Sequence, residues 1–132
     1  MRIVLLYQSS VPIYEQIKEQ IKTSVLSGEL QENELLPSIR QLARDLKVSV
    51  ITTTRAYNDL ELEGFIQTVP GKGCYVKRIE EDFIRSQYVK ETKATLNTAI
   101  RQSKMAGLTM SELHKLLDEL EETYNEKRDY GK

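Results

Sequence analysis

The sequence predicts a mainly α-helical chain with a small β-hairpin wing: a winged helix-turn-helix followed by a two-helix appendage. Three observations carry this expectation. The segments SIRQLARDL and SVITTTRAYNDL repeat one apolar spacing, i, i+3, i+4, i+7, and only Lys47, Val48 and Ser49 connect them. Two strand-like runs follow at once, on either side of Pro70-Gly71-Lys72-Gly73. From Ile79 onward, apolar residues recur at helical spacing through a charged tail. Residues 1–78 are therefore expected to form one domain and residues 79–132 a helical appendage.

The opening MRIVLLYQSS has an apolar run too short for a signal peptide and lacks a cleavage pattern, so it reads as a short edge strand or arm. Pro12 suits the first turn of a helix, with Ser10 as a possible cap. Ile13, Ile17, Ile21 and Val25 then space out one face, and Gly28 stops the helix, which spans roughly 12–27. Residues 29–37 form a loop in which Leu35 and Leu36 can make a short strand before Pro37. Ser38 and Gln41 have the spacing of a capping box for a second helix of about two turns. Its core face is Ile39, Leu42, Ala43 and Leu46.

The third helix, residues 50–63, poses a conflict. Six of the seven residues from Val48 to Thr54 are β-branched, which favours a strand by propensity. Yet Thr53, Ala56, Tyr57 and Leu60 make a helical face, and Ser49 is a good cap. The pattern outranks propensity, which is worth only tenths of a kcal/mol per residue. After Gly64, strands at 65–69 and 74–77 flank the tip at 70–73. In the tail, Phe83, Leu96 and Ile100 belong to a long helix that Gly107 ends. Thr109 and Glu112 form another capping box. Leu113, Leu116, Leu117, Leu120 and Tyr124 then make a clean stripe, and residues 126–132 are expected to fray.

Composition narrows the function classes. A single cysteine, Cys74, excludes an internal disulfide, and with one histidine, His114, leaves no zinc set. No acid–base or nucleophile constellation is apparent, so an enzyme is not expected, and no cofactor or metal is called for. No apolar run approaches the ~20 residues that span a bilayer, and a cytoplasmic protein without membrane contact is expected. Net charge is −1, with a net of +1 in residues 1–78 and −2 in residues 79–132. A polyanionic partner would need a local positive field.

The third helix could supply a groove reader. Ile51, Arg55 and Asn58 lie opposite its core face, and Ser49, Val50, Thr52 and Thr54 crowd its start. Short side chains at a helix N-terminus can reach base edges in a major groove, and Thr and Val methyls can meet a thymine methyl. The alternative is an exposed helix face without a partner. Arg40 can fork onto a phosphate or a guanine edge, although an isolated surface arginine is commonly just solvated. The tip around Gly71 and Lys72 suits phosphate or minor-groove contact, against the default of a plain turn. The stripes of the tail need a partner. Packing back onto the first domain and pairing with a second chain are both open, and a C2 pair is the commonest solution.

Taken in order, PIYEQIKEQI, SGEL, LPSIRQLARDL, the Ser–Thr–Arg-Ala-Tyr run, LELEGFI and PGKGCYV resemble the N-terminal DNA-binding domain of GntR-family bacterial transcription regulators, over residues 12–77. The short two-helix tail resembles the YtrA-like subfamily. The resemblance implies a repressor that binds a two-half-site, double-stranded DNA operator as a homodimer. It implies DNA contacts at Arg40, Ser49, Thr52 and Thr54, with Arg55 beside them and Gly71 and Lys72 at the wing tip. The tail stripe (Phe83, Leu96, Ile100, Leu113, Leu116, Leu117, Leu120 and Tyr124) becomes the expected dimer interface. A winged helix used only for protein–protein interaction is the competing reading. The residues specify no small-molecule effector, and the tail has little room for an enclosed pocket. Four positions depart from the family pattern. Val50 replaces a frequent arginine, so an arginine–guanine contact is unavailable there. Thr53 replaces a core valine, Lys47 a turn glycine, and Asn33 a glycine before the LPS segment.

Overall fold

The computed structural model describes residues 1–130. The chain comprises α1 (Ile13–Leu26), α2 (Ile39–Leu46), α3 (Val50–Leu62), β1 (Ile66–Val69), β2 (Gly73–Val76), α4 (Glu81–Met105) and α5 (Met110–Tyr130). It is a winged helix-turn-helix followed by two helices, in two compact units, Met1–Ile84 and the chain from Arg85 onward.

In the first unit, α1 and α2 pack against α3. Ile17, Ile21, Leu42, Ala56, Leu60, Phe65, Ile66 and Val76 are buried together. α3 is a helix despite its β-branched start. Ser49 is its cap, accepting the Thr52 N–H at 3.2 Å. Its inward side carries two partly buried polar bonds. The Thr53 hydroxyl lies 3.0 Å from the Ile39 carbonyl of α2, and the Tyr57 hydroxyl donates to the Pro37 carbonyl at 2.6 Å. Burial also raises the Tyr57 phenol far above its ordinary range, so it stays a donor. Thr53 is thus a bolt between the two helices.

The wing is antiparallel, with Ile66 opposite Val76 and Val69 opposite Gly73. Leu35 adds an isolated bridge to Tyr75, so the expected short strand reduces to one pair. Glu61 accepts from Thr68 at 2.9 Å, which ties the wing to the end of α3.

Three local expectations change, and one open alternative is decided. Pro12 is itself the N-cap of α1, with no side-chain cap, and Ser10 plays no part. The opening residues form an arm, not a strand. Gln16 and Gln20 side chains bond the backbone of Leu6 and Val4 at 2.8–2.9 Å and satisfy it without a neighbouring strand. Only half of the first capping box forms. Ser38 accepts the Gln41 N–H, but the Gln41 side chain turns forward to Asp45 at 2.7 Å. Finally, α5 continues through Tyr130 instead of loosening at 126, and the last two residues of that expected frayed stretch lie outside the described residues. The Thr109–Glu112 box forms in both directions, at 3.0 and 3.1 Å. The Thr109 N–H and hydroxyl both donate to the Glu112 carboxylate, at 3.0 and 3.1 Å, and lower that carboxyl below its ordinary value.

One ion-pair cluster braces α1 against the end of α3. Glu63 receives Lys22 at 3.2 Å and Lys18 at 3.3 Å, and Lys22 lies over the Phe65 ring. Partial burial alone would raise the Glu63 carboxyl, but the two lysines outweigh it and hold it below its ordinary value. A depressed carboxylate stabilises the fold above its unfolded pKa, and that contribution disappears as pH falls through the folded value. Chemical denaturation of wild type at successively lower pH is therefore expected to lose stability below about pH 4.5, and Glu63→Gln is expected to show a shallower decline across the same range. Parallel declines would remove Glu63 from the acid response.

Candidate nucleic-acid interface

α3 is buried on one side and open on the other. Thr53, Ala56, Tyr57 and Leu60 face the core. Ile51 is 81% exposed, and Arg55 and Asn58 are exposed beside it. Val50 is 43% exposed at the first turn, whereas Thr52 and Thr54 are half-buried. Ser49 is exposed, but its hydroxyl is shared between the Thr52 N–H and the Thr52 hydroxyl, at 3.2 and 2.9 Å. The cap thus uses the Ser49 oxygen and one of the two hydroxyl protons.

Where α2 meets the start of α3, the surface forms an open concavity of about 510 Å³, lined by Arg40, Ala43, Arg44, Lys47, Val48 and Val50. Three cations and no carboxylate line it. Arg44 is steadied by the Gln41 side-chain oxygen at 3.3 Å. Among the described residues, Arg40 and Lys47 form no ion pair with an acid. The nearly neutral chain therefore carries a local positive field, as polyanion binding requires.

Lys47 is held in this concavity by its backbone. It ends α2 in the left-handed conformation, φ 57°, and its N–H bonds the Arg44 carbonyl at 3.2 Å. Asn33, the other non-glycine residue with positive φ, takes the same region at 66°. Both take a conformation that glycine adopts at least cost, which bears on the expectation that glycine is usual at these two positions.

Arg55 lies on the opposite flank of α3, its guanidinium 3.7 Å above the centre of the Tyr14 ring of α1. Stacking of this kind fixes the plane of the group and leaves its edge N–H donors free to bond. Gly71 and Lys72 stand apart at the wing tip, where Gly71 takes φ 76° and Lys72 is exposed. The structure thus brings Arg40 and Val50 to one surface and pairs Ser49 with Thr52. Arg55 lies on a separate flank and the wing residues at a separate tip. Sequence reasoning passed over Lys47 and Tyr14, and placed Ile51 on the open face without giving it a contact. The first was readable as a charge in the turn between two short helices. Nothing in the sequence signals the Tyr14–Arg55 stack.

The second unit has a different character. Gly107, at φ 74°, turns α4 into α5, and the Leu108 N–H bonds the Ser103 carbonyl at 2.9 Å. Among its described residues, only Ser103 is buried. Leu96, Ala99, Ile100, Leu113, Leu117 and Leu120 share an apolar groove of about 410 Å³ with His114, Met110 and Leu116. Leu120 is 66% and Tyr124 65% exposed. Phe83, expected in the same stripe, is placed otherwise. It is half-buried in the first unit, with its ring 5.4 Å from Phe65, because α4 begins while still packed on that core. No group of His, Cys, Asp and Glu that could hold a metal occurs among the described residues, and no helix among them is long and apolar enough to cross a membrane.

Comparison with known proteins places this architecture. The family described as bacterial regulatory proteins, gntR family, matches residues 13–76. The transcriptional repressor YtrA of Bacillus subtilis is 34% identical over 113 residues, which is 86% of this chain and 87% of that protein. A transcriptional regulator from Oenococcus oeni superposes with a TM-score of 0.73 at 26% identity, over 88% of this chain and 96% of that one. The DNA-binding domain of AraR, crystallised with the operator ORX1, superposes with a TM-score of 0.52 at 27% identity, over 58% of this chain and 98% of that one.

The left-handed lysine makes a direct prediction. Lys47→Gly is expected to relieve the Cβ crowding and raise unfolding stability by up to about 1 kcal/mol. Urea denaturation midpoints check it, and a lower midpoint would contradict the strain argument.

Proposed function

The chain belongs to the GntR family of bacterial regulatory proteins, and from that premise we propose how it works. It is a DNA-binding transcription regulator. Its relatives include a repressor, and repression by occupying an operator is the role that fits. The observation that carries the reading is the open face of α3 beside a concavity lined by Arg40, Arg44 and Lys47. α3 enters the major groove by its N-terminal turns. Arg40 reaches a base edge or phosphate from α2, while Ser49, Thr52 and Thr54 lie against the backbone and groove wall. Arg55, held flat on Tyr14, meets a phosphate, and Gly71 and Lys72 meet the backbone or minor groove at the wing. Lys47, in the same concavity as Arg40, meets a phosphate.

Two copies act together. A helix pair with no buried apolar side chain among its described residues cannot hold its own core, and its leucine groove fits a second copy about a twofold axis. Leu96, Ile100, Leu113, Leu116, Leu117, Leu120 and Tyr124 form that interface, whereas Phe83 serves its own winged helix. The paired units then set the distance between two half-sites of a palindromic operator. The chain works in the cytoplasm, with the DNA, and no catalytic step is assigned to it.

Three measurements test this. Affinity for duplex DNA is expected to fall steeply with salt, since each neutralised phosphate contributes about −0.9 to the log–log slope. A flat response would favour the protein-interaction alternative. Arg40→Ala is expected to weaken binding to a preferred site by roughly 1–3 kcal/mol, and an equal loss on unrelated duplexes would make it a phosphate contact instead. In sedimentation velocity the full chain is expected to run as a dimer, and Leu117→Glu with Leu120→Glu as a monomer. A dimer that persists in the double variant would place the interface elsewhere.

A further inference from the structure

We propose that Val50 and Ile51 read the 5-methyl groups of thymine in each half-site. The inference rests on the DNA-binding reading above and adds what the tip of the helix recognises. The first turn of α3 projects two apolar side chains outward, Val50 at 43% and Ile51 at 81% exposure. The nearest hydroxyls are turned mostly to one another or inward. Ser49 and Thr52 cap the helix and bond each other at 2.9 Å, and the Thr53 hydroxyl points inward to the Ile39 carbonyl. Arg55, one turn later, is drawn aside onto Tyr14. The turn expected deepest in the groove therefore offers methyl groups where a donor would be needed to read a purine.

An exposed isoleucine alone means little, because much of any protein surface is apolar. Its position gives it meaning. Val50 borders the concavity that holds Arg40, Arg44 and Lys47, so the apolar pair adjoins the surface that attracts phosphates. Of the groups that bases present in the major groove, the thymine 5-methyl is the one that offers a projecting apolar surface, where cytosine has only a C5–H. A methyl against Val50 or Ile51 gains by leaving water. A guanine at the same place would have its O6 and N7 acceptors stripped of water and given no donor. The patch thus selects for one base and against another without a hydrogen bond.

The test uses the full chain on a duplex recovered by selection from random DNA. Each thymine is replaced in turn by deoxyuridine, which removes the methyl and leaves base pairing intact. At one or two positions per half-site, affinity is expected to fall about three- to fourfold, the size of burying one methyl-sized group. Ile51→Ala and Val50→Ala should lose affinity on the thymine duplex and lose nearly nothing further when uracil is already present. Both side chains are exposed, so thermal melts should show the variants folded. If no thymine is sensitive to uracil, or if the alanine variants lose equally on both duplexes, the proposal is overturned while DNA binding stands. If the wild-type chain prefers no duplex at all, the regulator reading fails and this proposal with it.

Discussion

The open face of α3 depends on what holds its other side. Two partly buried side-chain bonds, Thr53 to the Ile39 carbonyl and Tyr57 to the Pro37 carbonyl, fasten the helix to the start of α2 and to the segment before it. Apolar packing against Ala56 and Leu60 supplies most of the attraction, but it is non-directional and tolerates sliding. A buried hydrogen bond does not, because a small shift leaves an acceptor without a partner in a low-dielectric interior. Together with the packing, these bonds favour one rotation of α3 about its own axis. With Thr53 and Tyr57 turned inward, Val50, Ile51, Arg55 and Asn58 face outward.

The same geometry sorts the charges. Lys18 and Lys22 are used internally, where Glu63 draws them between α1 and the end of α3. For Lys18, partial burial alone would lower the ammonium, but bonds to Glu15 and Glu63 outweigh it and raise the group above its ordinary value. These cations strengthen the scaffold and contribute little field outside it. Arg40, Arg44 and Lys47 instead collect where α2 turns into α3, with no acid lining their concavity. A chain of net charge −1 can thus present a basic surface to a polyanion. The helices beyond residue 85 answer a different need. Their exposed leucines offer contact area, and a matching second copy would supply the core they lack.

Much of this was legible in the sequence because it follows from spacing. Apolar residues at helical spacing located all three helices of the first unit, and the caps Ser38, Ser49 and Thr109 located three starts. The β-branched run misleads only if propensity is weighed above pattern. What spacing could not show depends on the third dimension. Gln41 has the right position for a reciprocal cap, yet Asp45 one turn later competes for its amide. Phe83 has the right period for the tail stripe, yet the first turn of α4 lies on the Phe65 side of the boundary. The Tyr14–Arg55 stack joins residues far apart in the chain and obeys no local rule. Lys47 looked like a substitution for glycine, and only the backbone angle shows that it takes a conformation glycine adopts at least cost while adding a charge to the basic surface.

The central claim is that the open face of α3, presented twice by a symmetric pair, recognises a defined DNA sequence. Selection of bound duplexes from a random pool by the full chain tests it most directly. The expected result is enrichment of an inverted repeat, with its two halves at a fixed spacing of whole helical turns. Recovery of no preferred sequence, or of a lone half-site without dyad symmetry, would contradict it.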